Sequence, residues 1–233
     1  MAIVTQLFLL AHGSPDPRSG RAIRFFAAKI QSCIGLPTEV AFLDHDLPDL
    51  ATAVEISGKK EGTLVVPMLL STAFHARFDV PKAMVKAGLI HVLPPIGHPL
   101  DLLTSLVREA GPNVVVLAAG TTDQGARQLF KEAVEIAGIW SGNHVAHAFI
   151  TGPGPHLHDQ LIAAQDSDLG EVKVIPWLLA EGRLLDKVHI EAGRAGVLVQ
   201  GGGLVNEISF LQHLASSIEI GLRIKTSRIA RPA

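Results

Sequence analysis

The chain has 233 residues, 48% hydrophobic and 18% charged, with 20 Lys plus Arg against 22 Asp plus Glu and a formal charge of −2. It is too apolar for disorder and long enough for one large core or two small ones, and the lack of a basic stripe excludes a nucleic-acid backbone as partner. Its apolar runs fall short of the roughly 18 residues of a membrane span, no Lys or Arg precedes Arg18 as a signal peptide requires, and a lone cysteine excludes an internal disulfide, so a cytoplasmic protein held together by packing is expected.

Short runs rich in branched residues predict buried parallel strands at 7–11, 39–43, 63–67 and 91–94. Helices are expected between them. Arg21–Ile34 carries Ile23, Phe26, Ile30 and Cys33 at three- and four-residue steps, placing Cys33 on the apolar face. Leu47–Ile56 has Pro48 in its first turn, Pro81–Ala87 is short, and Leu100–Ala110 stops at Gly111 before Pro112. The second half repeats the strands at about 114–118, 145–150, 171–176 and 195–200, each followed by a helix. The repetition is visible in the letters. LFLLAHGSPD (7–16) lies over VVVLAAGTTD (114–123), and AFLDHDLPDL (41–50) over AFITGPGPHL (148–157), both at a shift of 107. VVPMLLSTA (65–73) lies over VIPWLLAEG (174–182) at a shift of 109. The expected fold is α/β: two tandem, duplicated parallel-sheet domains, 1–111 and 112–233, with a cleft between them.

Ligands of open parallel sheets bind beyond the carboxyl ends of the strands. That rule selects His12 and Ser14 after strand one, Asp44, His45 and Asp46 after strand two, and His75 after strand three. Two imidazoles and a carboxylate on one rim can bind a divalent metal or move protons near neutral pH. Each histidine taken alone also reads as a turn cap or a surface residue. The second half argues against that: the positions matching His12 and His75 are Ala119 and Leu184, so the fold itself does not require histidine there. His156 and His158, flanked by glycines and prolines, read as turn decoration rather than a metal pair. Gly201–Gly203 reads as a tight turn, since no Lys-Ser/Thr follows it.

AHGSPDP, then AFLD, P-x-L-L-S-T-A-x-H and D-V-P together resemble the sirohydrochlorin chelatases of the CbiX/SirB type, and PWLLAEGRLLDKV resembles the degenerate C-terminal copy of their long, two-domain form. The resemblance implies a class II chelatase-like fold and ATP-independent insertion of Fe2+ (for sirohaem) or Co2+ (for cobalamin) into the tetrapyrrole. It implies His12 and His75 as the catalytic and metal-handling pair, with Asp44 where the family usually has Glu. The substrate is carboxylate-rich, so Arg18, Arg77 and Arg183, with Ser14 and Ser71, are the expected substrate contacts. No permanently bound cofactor is expected; the divalent metal (Fe2+, Co2+ or Ni2+) is a substrate, and two fused halves make a monomer sufficient. A non-catalytic tetrapyrrole or metal carrier would use the same residues. A histidine phosphatase would need Arg before the His-Gly, where this chain has Ala11.

Overall fold

The computed structural model describes residues 4–71 and 75–227. They form two compact units, Met1–Ile96 with Phe210–Ala233, and Gly97–Ser209.

In the first unit, β1 (Gln6–Ala11) is the central strand, flanked in parallel by β2 (Thr38–Phe42) and β3 (Thr63–Pro67) in the order β2-β1-β3. Every residue of β1 is buried, as a strand covered on both faces requires. Phe8 and Leu10 pack against α2 (Leu50–Ser57) and α3 (Val80–Ala87) through Leu50, Val54, Val80 and Met84. Leu7 and Leu9 point the other way. The long α1 (Pro17–Ile34) buries Ile23, Phe26, Ala27 and Ile30, and Phe26 meets Phe210 at a ring separation of 5.3 Å.

The second unit holds α4 (Leu100–Ala110), β4 (Asn113–Ala118), α5 (Gln124–Ser141), β5 (His144–Phe149), α6 (Leu157–Gln165), β6 (Val172–Trp177), α7 (Arg183–Arg194) and the two-residue β7 (Leu198–Val199). Its sheet order, β5-β4-β6-β7, is again parallel. The last helix, α8 (Ile208–Ser227), lies from Phe210 onward in the first unit.

The duplication extends to single hydrogen bonds. Leu7 pairs with Thr38 and Val114 with Val145; Leu10 pairs with Pro67 and Leu117 with Pro176. Asp16 caps α1 and Asp123 caps α5. The Ser14 and Thr121 hydroxyls accept from the amides of those caps. Gly13 and Gly120 have φ of 91° and 99°. A Cβ on Gly13 would fall 1.8 Å from the Asp44 carbonyl oxygen, and one on Gly120 would fall 1.9 Å from that of Thr151. Both glycines let the loop after the central strand touch the loop after its neighbour.

Several sequence expectations change. The compact units divide at Ile96/Gly97, not at 111/112, because the last helix of each half leaves its own sheet: α4 joins the second unit and α8 the first. The fourth strand of the first half shrinks to one bridge, Val65 to Val92, since Pro94 and Pro95 have no N–H with which to continue the ladder. Helix α2 begins at Leu50, not Leu47: the Pro48 carbonyl accepts from the Phe42 amide, and the Asp49 carboxylate caps the helix by accepting from Thr52 N–H at 2.8 Å. Cys33 is exposed, because the buried stripe of α1 runs through Ile23, Phe26, Ala27 and Ile30 and passes beside it. Among the described residues no helix is long and apolar enough to cross a membrane.

Two stability predictions follow from these packings. Gly13→Ala should lower stability by about 2 kcal/mol or more, since it adds a backbone collision to an unfavourable φ. Gly35→Ala, at a C-cap with φ 74° and open space around it, should cost only about 1 kcal/mol; chemical denaturation separates the two. In the second unit His98 is half-buried beside Phe130 and Trp177, and desolvation depresses its pKa from 6.5 to about 4. The folded state therefore holds it neutral while the unfolded chain protonates below 6.5. Its stabilising contribution is complete above pH 6.5 and falls away as pH drops to about 4, a loss of about 3 kcal/mol. In His98→Leu, unfolding midpoints measured across that window should lose this part of the acid sensitivity.

Candidate functional site

In the order β2-β1-β3 the chain leaves β1 toward one side and returns on the other, so the topological switch point lies between β1 and β3. His12 follows the last residue of β1. His75 follows β3 at the start of a π-helical turn, His75–Asp79, that leads into α3. The two imidazoles meet edge to face, with centroids 4.2 Å apart and planes at 76°. Sequence separation of 63 residues is thus closed by the sheet alone.

Each ring is oriented through Nδ1. His12 Nδ1 lies 3.3 Å from the Gly13 carbonyl oxygen. His75 Nδ1 lies 2.7 Å from Asp79 Oδ2, a carboxylate–histidine contact of the type that orients metal-binding imidazoles. With Nδ1–H donated in both, the lone pair of each ring is on Nε2. His12 is half-buried. Desolvation is the main cause that lowers its pKa below 6.5, reinforced by His75 and His45 and opposed by the Gly13 carbonyl and Asp44. His12 is therefore neutral at pH 7, the form that ligates a cation or accepts a proton.

The loop after β2 supplies the third component. The Asp44 amide donates to the His12 carbonyl at 2.8 Å, and the Asp46 amide to the Asp44 carbonyl at 2.7 Å. Asp46 Oδ2 accepts from the Ser14 amide at 3.3 Å, and Arg24 of α1 holds the far end of the loop through Leu47 O at 2.7 Å. His45 sits at φ 63°, the one non-glycine with positive φ among the described residues. Its amide donates to Asp44 Oδ1 at 2.8 Å, and its ring centroid is 5.9 Å from that of His12.

The structure gathers His12, His75 and the Asp44 loop, as expected from the strand ends. Ser14 is half-buried, with its hydroxyl accepting from the Asp16 amide. Ser71 is half-buried after β3, and Arg77 is exposed on the π-helical turn. Arg18 turns back onto Asp16, the α1 cap, with Nη2 2.6 Å and Nε 3.1 Å from its carboxylate oxygens, so its charge serves the cap. Arg183 is exposed at the first position of α7 in the second unit. His156 and His158 are exposed at the start of α6 in that unit. Among the described residues no three His, Cys, Asp or Glu donors already converge as a metal cage. Strand-end reasoning selects His45 with Asp44 and Asp46 but misses Asp79. Asp79 is legible only as the i+4 partner of His75, and that spacing becomes a contact only once the segment is helical.

Residues 6–110 match the family model described as CbiX. That segment, the first half of the chain, resembles the CbiX family. It is similar to the sirohydrochlorin ferrochelatase of Bacillus subtilis (strain 168), at 23% identity over 91% of this chain and 88% of the relative. To the sirohydrochlorin ferrochelatase of Priestia megaterium it is 24% identical over 88% and 85%. Its fold is that of SirB from Bacillus subtilis solved with Fe3+, at a TM-score of 0.73, 20% identity and coverage of 95% of this chain and 97% of that one. SirB from Bacillus subtilis subspecies spizizenii in complex with cobalt gives a TM-score of 0.70 at 20% identity, covering 94% and 93%.

The environment of His12 makes a direct prediction. Its imidazole, followed by proton NMR, should titrate below 6.5. In His75→Ala the midpoint should move upward, because that change both removes a cation-destabilising neighbour and admits water.

Proposed function

We propose that this chain is a sirohydrochlorin chelatase of the CbiX type that inserts a divalent metal, Fe2+, Co2+ or Ni2+, into the tetrapyrrole without ATP. The observation that carries the reading is the His12–His75 pair at the switch point, 4.2 Å apart, with both Nδ1 atoms engaged and both lone pairs on Nε2. Metallation exchanges two pyrrole N–H protons for one dication, so the site must both release a cation and accept protons. Neutral imidazoles do each in turn. Depression of the His12 pKa suits this use twice: it keeps the ring unprotonated for the incoming cation, and it lets the ring return an accepted proton to water.

Asp44 adds a carboxylate to the same rim, and Asp79 holds His75 in one orientation. Around the pair, Leu47 and Phe78 are large exposed side chains on the loops after β2 and β3, and they offer apolar edges to a flat macrocycle. Arg77 and Ser71 after β3, with Ser14 after β1, are the contacts we assign to its carboxylates; Arg183 is a further contact proposed from the second unit. The relatives named sirohydrochlorin ferrochelatase and the structures solved with Fe3+ and cobalt support this substrate pair. We propose a cytoplasmic monomer that takes its metal as substrate and retains no cofactor between turnovers.

Anaerobic absorbance with sirohydrochlorin and Fe2+, Co2+ or Ni2+ tests the reading. Catalytic loss of the metal-free spectrum is expected, abolished in His12→Ala. A stoichiometric spectral shift without turnover would instead mark a carrier. Asp79→Asn should fold normally and lower kcat by about 10- to 100-fold, by freeing the His75 ring.

A further inference from the structure

His45 stands where the backbone favours glycine. A φ of 63° is a left-handed conformation that L-residues seldom adopt, and the second copy of the fold has Gly152, φ 78°, at the matching position. The shift of 107 that relates His12 to Ala119 and Asp44 to Thr151 also relates His45 to Gly152. The same loop is therefore built in the second copy with the residue the geometry prefers. The first copy, which alone carries the His12–His75 pair, has an imidazole there.

That imidazole has partners suited to a cation. His45 Nε2 is 3.5 Å from Asp44 Oδ2. This is longer than the roughly 2.7–2.9 Å of a charge-assisted hydrogen bond. It matches the separation of about 3.4 Å between adjacent N and O ligands of one ion bound tetrahedrally at about 2.1 Å. The His45 amide holds Asp44 Oδ1 at 2.8 Å, leaving Oδ2 on the His45 ring side. Exposure falls along the row: the Asp44 side chain is 65% exposed and His45 42%, while His12 is half-buried. The His45 and His12 centroids are 5.9 Å apart. Two imidazoles share one tetrahedral ion at a centroid separation of about 5.2 Å, given metal–nitrogen bonds of about 2.1 Å, so a closing movement of under about 1 Å would let an ion pass from one ring to the other while keeping a protein nitrogen.

We propose that Asp44 and His45 form an outer two-donor station that captures the hydrated divalent cation and hands it through His45 to His12. This rests on the chelatase reading and assigns His45 a binding role in it. The station works before the macrocycle is metallated, and it exchanges water on the ion for Asp44 Oδ2 and His45 Nε2, with no redox step.

The test uses the full chain, with Co2+ alone as one probe and Co2+ plus sirohydrochlorin as the other. His45→Gly and His45→Asn both suit the left-handed backbone, so thermal unfolding should show no loss of stability. In both variants the KM for Co2+ should rise about tenfold with kcat within about twofold of wild type. Calorimetry should show Co2+ binding to the free protein weakened by a similar factor. Unchanged Co2+ affinity and KM, or a fall in kcat at unchanged KM, overturns the outer station and leaves the chelatase reading intact provided that His12→Ala is inactive. If the wild type fails to metallate sirohydrochlorin, the chelatase reading fails, and calorimetry with Co2+ alone still decides whether His45 binds the cation.

Discussion

One close approach organises the first unit. The loop after β1 lies directly on the loop after β2, with Gly13 so near the Asp44 carbonyl that a Cβ would sit at 1.8 Å. The Asp44 amide answers by donating to the His12 carbonyl. No other residue type satisfies both the φ of 91° and this distance. Because the two loops are joined at backbone level, the side chains of His12, Asp44 and His45 inherit their positions from the main chain. The parallel pairing of β1 with β3 then carries His75 to the same end of the sheet.

The second unit shows what the fold demands apart from chemistry. It retains the glycine contact at Gly120, the hydroxyl and carboxylate at the helix cap, and the strand registers. At the positions of His12, Asp44, His45 and His75 it has Ala119, Thr151, Gly152 and Leu184. The internal comparison separates the structural group (glycine, cap and register) from the chemical group, which occurs in only one copy. Elsewhere the second unit packs the half-buried His98 and His147 among Phe130, Phe149 and Trp177. There desolvation keeps both rings neutral, and they act as aromatic packing.

Much was legible in the linear chain because its signals are local or periodic. The branched runs of β1 and β4 mark strands covered on both faces, the matched segments at shifts of 107 and 109 mark the duplication, and the strand-end rule places His12, Asp44 and His75 together. Other features depend on contacts between distant residues. The exchange of α4 and α8 between units is set by which apolar faces pack together, as when Phe210 of α8 meets Phe26 of α1. The loss of a fourth strand in the first unit follows from two prolines that cannot donate. Arg18 is read as a substrate contact from its place near the loop; only the fold shows that it pairs with Asp16.

What the sequence alone determined was the fold class, the duplication and the identity of the catalytic candidates, since hydrophobic period and motif spacing are written residue by residue. The tertiary structure decided the orientation of those candidates. The edge-to-face angle of His12 and His75, the Asp79 contact that fixes one ring and the left-handed backbone that presents His45 depend on dihedral angles. Those angles are selected only when separate segments pack and their backbone hydrogen bonds close.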